Sequence, residues 1–186
     1  MATARLGRQA VLSLTLVAAV ICSLAVAPGP DGLFGAFLAA LMLAIAITDS
    51  RRYIIPNELT AAAVALALLR AGSVGLEPDW LSVLWAAFRA AAIALPLLAL
   101  MAGYRWWRGR DGLGLGDVKL AAVAGAWLGW VTIFAVVELA TLAAIGTYVV
   151  IGYRRKRPLR STAFLPFGAF LAPAIWIGWL VEAMFS

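Results

Sequence analysis

Seven runs of apolar residues separated by short polar turns leave this chain little choice of fold. They cover about residues 10 to 27, 33 to 48, 58 to 76, 80 to 103, 115 to 129, 131 to 152 and 163 to 184. Most approach the roughly 20 residues that a helix needs to cross hydrocarbon. At that depth only helices or closed barrels satisfy their own backbone. With 65% of residues hydrophobic and only 13% charged, nothing remains for a soluble domain of ordinary composition. The expected fold is all-α, a polytopic membrane helix bundle of about seven transmembrane segments. Two of them, 33 to 48 and 115 to 129, are short. A short helix whose polar end begins below the headgroups leaves its terminal residue recessed in protein or in a watery cleft. Residues 10 to 27 follow Arg5 and Arg8 in the manner of a secretory signal. No convincing small-x-small site precedes a soluble domain, so a retained first span is expected.

Charge placement gives the orientation. Arg5 and Arg8 precede the first span, and Arg51 and Arg52 follow the second. Arg105, Arg108 and Arg110 follow the fourth, and Arg154, Arg155, Lys156, Arg157 and Arg160 follow the sixth. The opposite turns hold Asp31, Glu77, Asp79 and Glu182 and no cation. Counting Lys119, 13 of the 15 cations fall on one side, and only Arg70 and Arg89 lie within helices. Cations bias a loop toward the cytoplasm, so the N-terminus is expected inside. Because they cluster between apolar segments, the cations suit anionic lipid headgroups rather than nucleic acid, and no nucleic-acid partner is expected.

Two acids interrupt this pattern on the same, cytoplasmic side. Asp49 ends an apolar run in ITDSRRYIIPNELT, and Asp117 opens one in GLGLGDVKL, behind Gly112, Gly114 and Gly116. An ionisable group near hydrocarbon is costly and suggests a purpose. The chain has no His, which excludes Ser-His-Asp and Cys-His nucleophile systems and a His-ligated zinc site. Its one cysteine, Cys22, lies in the first span and reads as packing, without disulfide or metal knuckle. What remains for hydrolysis is a carboxylate pair sharing one proton, with like charges splitting the two titrations. Such a pair needs no cofactor and no metal.

Three stretches carry a family resemblance. The segment from Asp49 to Pro56 and Asn57 resembles the first active-site motif of type IV prepilin peptidases. Gly114 to Leu120, GLGDVKL, is similar to their GxGD motif. Leu165 to Pro173, LPFGAFLAP, is similar to their PFGPFL segment, with Ala169 in place of the usual proline. The resemblance implies a membrane aspartyl protease that removes the basic leader of type IV prepilins or pseudopilins at the cytoplasmic face of the bacterial inner membrane. It makes Asp49 and Asp117 the catalytic pair. It also implies a single domain over 1–186, with an additional N-terminal span at 1–30 and a peptidase core at 33–184. Longer members carry a cytoplasmic insertion with paired zinc-binding cysteines and a methylating activity. Here Pro28 to Leu33 is only a short turn, so cleavage without N-methylation is expected, as in the short peptidases of tight-adherence (Flp-type) pili. The plan is also similar to that of archaeal preflagellin peptidases.

Around the pair, Gly114 and Gly116 read as a loop that lets an extended substrate pass close to the backbone, although glycine serves any tight turn. The glycine spacing is not a nucleotide loop, since no strand precedes it and no GK[ST] follows. Lys119 either steadies the carboxylates, contacts substrate or snorkels to the interface. Asn57 reads as a helix cap whatever the function. Pro166, Phe167 and Gly168 either close the cleft or simply start the last helix. Asp111, six residues before Asp117, competes for the second acid but opens no apolar helix. Glu138, inside the sixth span, is either functional or tied to Arg89 or Thr141. Gly125 and Gly129 read as close helix packing. Trp106, Trp107, Trp127, Trp130, Trp176 and Trp179 read as interfacial anchors. Two other classes compete with the protease. A proton-coupled small transporter relaying through Glu138 is one, and a noncatalytic pilus-assembly membrane protein is the other.

Overall fold

A computed structural model describes residues 2–74, 77–109, 114–154 and 166–185. Asp111, Arg110, the basic stretch 155–160 and Leu165 lie outside the described residues, as do the side chains of Arg5 and Arg8. Among the described residues there are seven helices and no strand: α1 (Ala2–Val26), α2 (Pro30–Arg52), α3 (Asn57–Ser73), α4 (Trp80–Arg108), α5 (Leu115–Trp127), α6 (Trp130–Arg154) and α7 (Gly168–Phe185). Each of the seven apolar runs contains a helix. Five of them, α1, α2, α4, α6 and α7, are long and apolar enough to cross a membrane. One of the two runs expected to be short differs from expectation. Asp49 ends the apolar run of α2 but not its helix, which continues through Arg51 and Arg52 and reaches 23 residues. The 115 to 129 run is short as expected, α5 having 13 residues, and the other short helix is α3, with 17. At 1.5 Å per residue α5 is about 20 Å long, well under the ~30 Å of hydrocarbon.

Despite its length, α5 is the most enclosed helix. Val118, Leu120, Ala121 and everything from Val123 to Trp127 are buried. It packs on α4 most extensively, then on α3 and α7, while α2 packs on α7, α1 and α3. The two helices that carry the acids therefore share little packing, and α3 and α7 bridge them. Close approach of α4 and α5 depends on Gly125, where a Cβ would lie 2.7 Å from the Arg89 carbonyl oxygen. The small-residue packing read from the sequence is present there.

A helix that stops inside a bundle leaves backbone groups without partners. Side chains from the flanking spans supply them at the C-terminal end of α5. Arg89 donates through Nε to the Gly125 carbonyl at 3.2 Å, and Glu182 accepts the Gly129 amide at 2.7 Å. Glu182 is also close enough to attract Arg89 electrostatically. Arg70 pairs with Asp31 and lies over the Trp127 ring, 5.5 Å from its centroid, while the Trp127 indole N–H donates to the Ala63 carbonyl at 2.9 Å. Both cations left inside helices by the orientation rule thus serve one polar collar.

Several expected placements are corrected. Trp127 and Trp179 are fully buried core residues, and Trp176 donates to Ser23 at 3.1 Å, so none of these three is an interfacial anchor. Trp106 and Trp107 are exposed as expected. Glu138 faces outward on α6 rather than into the bundle. Its suggested partners are engaged elsewhere, Arg89 with Gly125 and Thr141 with the Val137 carbonyl. Cys22 also points outward from α1 and is not packed.

Candidate active site

Alternation of the helices brings the end of α2 and the starts of α3, α5 and α7 to one end of the bundle. Asp49 sits in the last turn of α2, with 5% of its surface exposed. The turn that follows is closed by Tyr53, the only described non-glycine residue with positive φ (φ 55°, ψ 33°), whose amide donates to the Asp49 carbonyl at 2.8 Å. A tyrosine in the left-handed region costs about 1–2 kcal/mol. Such local strain persists only where its surroundings fix it.

The Asp49 carboxylate is held by the start of α7. The Ala169 amide donates to Oδ2 at 2.8 Å, and the Gly168 amide also reaches the carboxylate. Gly168 is required by space, because a Cβ there would stand 3.0 Å from Asp49 Oδ2 and 2.6 Å from Ile55 Cδ1. Pro166 and Phe167 start the helix, their carbonyls accepting from Ala169, Phe170 and Leu171 at 3.0 to 3.2 Å. The helix-starting role thus falls to Pro166 and Phe167, and contact with the acid to Gly168 and Ala169.

Asp117 lies in the first turn of α5, half-buried, with its amide donating to the Gly114 carbonyl at 3.1 Å. Its carboxylate folds back over Gly114, where a Cβ would be 3.2 Å from Oδ2. Gly116 meets the Ile55 side chain, a Cβ there lying 3.1 Å from it. Ile55, buried between Gly116 and Gly168, is therefore the wedge joining the two acid-bearing segments. The charges of Asp49 and Asp117 interact across this junction.

Lys119 and Asn57 make a second tie between the same segments, the lysine ammonium donating to Asn57 Oδ1. Asn57 is not a cap. Pro56 occupies that position in extended conformation, no side chain caps α3, and the Asn57 carboxamide oxygen is engaged by Lys119. Sequence reasoning missed Ile55, Ala169 and the collar made by Asp31, Arg70, Arg89 and Glu182. Ile55 carries no signal distinct from its apolar neighbours. The collar was visible only as two cations out of place.

Among the described residues no group of His, Cys, Asp and Glu is disposed to hold a metal ion. Two close carboxylates in a desolvated setting can share one proton and act as acid and base on a water.

Residues 36–150, which include both acids, match the type IV leader peptidase family. A prepilin leader peptidase/N-methyltransferase of Aeromonas hydrophila is 33% identical over 168 residues, covering 90% of this chain and 56% of the relative. One from Escherichia coli K12 is 32% identical over 171 residues, 91% of this chain and 73% of the relative. The leader peptidase HopD of Escherichia coli is 36% identical over 145 residues, 76% of this chain and 88% of the relative. The chain thus spans little more than half the length of some relatives and most of others. No solved structure matches it. With the match enclosing both acid-bearing segments, and those segments assembled at one end of a helical membrane bundle, the chain belongs to the type IV leader peptidase family.

Proposed function

We propose that this chain is a membrane-embedded aspartyl endopeptidase. Its substrate is the basic leader of type IV prepilins or pseudopilins, cut at the cytoplasmic face of the inner membrane without methylation of the new N-terminus. The observation that carries this reading is the convergence of Asp49 and Asp117 around Ile55, with Asp49 anchored on the start of α7. The positive-inside pattern supports the orientation, since Arg51, Arg52, Arg105, Arg108 and Lys119 all lie at the end of the bundle that bears the acids. The peptidase core is residues 33–184, and α1 is an additional span docked on α2.

In the proposed reaction the pair begins with one shared proton. The ionised carboxylate takes a proton from water as its oxygen attacks the scissile carbonyl carbon. The protonated carboxyl gives its proton to the carbonyl oxygen, leaving a tetrahedral diol. The C–N bond then breaks, the departing amine takes the proton drawn from water, and a hydroxyl proton returns to the other carboxylate. One water is consumed and the pair again shares one proton. Gly114, Gly116 and Gly168 let the backbone close up against the carboxylates and Ile55. Pro56 and Asn57 lead into α3 beside them, and Lys119 holds Asn57. Pro166 and Phe167 set the start of α7. The α1–α2 turn spans only Ala27 to Gly29 and the single Cys22 faces outward, so neither offers the paired cysteines of a zinc-binding insertion.

The test is incubation of the detergent-purified protein with a candidate prepilin, with product mass giving cleavage position and methylation state together. Asp49→Asn and Asp117→Asn are each expected to lower cleavage at least ~100-fold while inserting normally. Full cleavage by either variant removes that residue from catalysis. A proton-coupled transporter relaying through Glu138 finds no support, since that acid faces outward.

A further inference from the structure

Between α2 and α3 the chain is out of helix from Tyr53 to Pro56, and Ile55, as the residue before a proline, is pushed toward extended backbone. Tyr53 turns it out of α2, Ile54 and Ile55 follow, and Pro56 (φ −65°, ψ 137°) leads into α3. The side chain of Ile55 is buried against Gly116 and Gly168, while Ile54 is 61% exposed. Among the described residues, neither the amides nor the carbonyls of Ile54 and Ile55 make a hydrogen bond. Two consecutive residues therefore leave main-chain donors and acceptors without protein partners, in the segment whose Ile55 side chain packs where Gly116 and Gly168 meet. Backbone groups at a membrane boundary are seldom left in that condition.

A peptide bond in a helix is shielded, because its carbonyl accepts from an amide four residues on. A substrate cut at the end of a membrane helix must unwind there, and unwinding leaves its own amides and carbonyls without partners. An extended edge with matching open groups satisfies both chains at once, main chain to main chain. We infer that the Ile54–Ile55 segment receives the substrate's scissile segment as an added strand, one of the two residues pairing with it main chain to main chain, and holds it extended across Asp49 and Asp117. This rests on the peptidase reading proposed above. Recognition of this kind reads extended conformation rather than side-chain identity. It falls on alternate residues of the substrate, because strand residues point their main-chain groups to alternate sides.

The experiment uses the full chain in detergent micelles and a synthetic peptide spanning a candidate prepilin junction. Its amides are N-methylated one at a time, with the scissile amide itself left out of the comparison. Methylation is expected to raise KM about tenfold at one position, or at two positions separated by one residue, with adjacent positions changed little. A second measurement follows hydrogen exchange in the Asp117→Asn protein saturated with unmodified peptide, where the Ile54 or Ile55 amide is expected to exchange at least tenfold more slowly. A scan in which adjacent positions respond alike, or exchange unchanged at both residues, overturns the added strand while leaving the peptidase intact. Failure of the wild-type protein to cut the unmodified peptide overturns the peptidase reading and the strand with it.

Discussion

The Ala169 amide donates a 2.8 Å hydrogen bond to Asp49 Oδ2 across 120 positions of sequence. The bond joins the last turn of α2 to the first turn of α7, so the placement of one carboxylate depends on a helix that carries no acid of the site. A donor aimed at a carboxylate is charge-assisted and directional, and it orients the group as well as holding it.

Gly168→Ala tests this anchoring. The added methyl would meet both Asp49 Oδ2 and Ile55 Cδ1 at sub-contact distance. We expect kcat for leader cleavage to fall about tenfold or more, equivalent to ~1.4 kcal/mol of transition-state stabilisation, with the protein still inserted and folded. Wild-type kcat in this variant would remove Gly168 from the placement of Asp49.

Lys119 and Asn57 tie the start of α5 to the start of α3, so their loss should act as one event. Lys119→Met and Asn57→Ala are each expected to lower kcat/KM several-fold, with the double variant close to either single one. A double-mutant cycle measures this coupling, expected at about 0.5–3 kcal/mol. Strict additivity would mean that the contact does not position the site.

Arg89→Ala leaves the Gly125 carbonyl without its side-chain partner and Glu182 without its nearby cation. A buried polar group left unsatisfied costs ~1–3 kcal/mol. Thermal unfolding in detergent should therefore begin at lower temperature, and Arg89→Lys should recover part of the loss. Glu138→Gln, on the outward face of α6, should leave both stability and cleavage unaltered.

Cleavage by a pair that shares one proton should depend on pH from both sides. Below the first macroscopic titration both carboxyls are protonated and no base remains for the water. Above the second, both are ionised and no acid remains for the carbonyl oxygen. The profile of kcat/KM is therefore expected to be bell-shaped. A single-limbed profile would argue against shared acid–base duty.

Much of the helical plan was legible because membrane spans announce themselves by long apolar runs, and each of the seven runs contains a helix. Helix ends were less legible. Asp49 breaks hydropathy, yet the backbone stays helical to Arg52, since a charged side chain at the interface does not forbid helical φ and ψ. Capping logic failed at Asn57 because a distant lysine claims its carboxamide, a contact that local pattern does not contain. Asp49 and Asp117 could be marked by their cost near hydrocarbon. Ile55 and Ala169 could not, being an ordinary apolar side chain and a backbone amide whose importance arises only from what folds against them. The depth of Trp127 was hidden for a similar reason, because its indole finds a carbonyl on α3 inside the bundle.

The acid-bearing helices lean on α3 and α7 far more than on each other. Separation of the two carboxylates is thus governed by intermediaries, much as the jaws of a clamp are governed by its pivot. Sequence drift in those intermediaries can shift the carboxylates while both aspartates stay unchanged, and on the proposed peptidase reading an inhibitor wedged between α2 and α7 would disarm the site without touching either one.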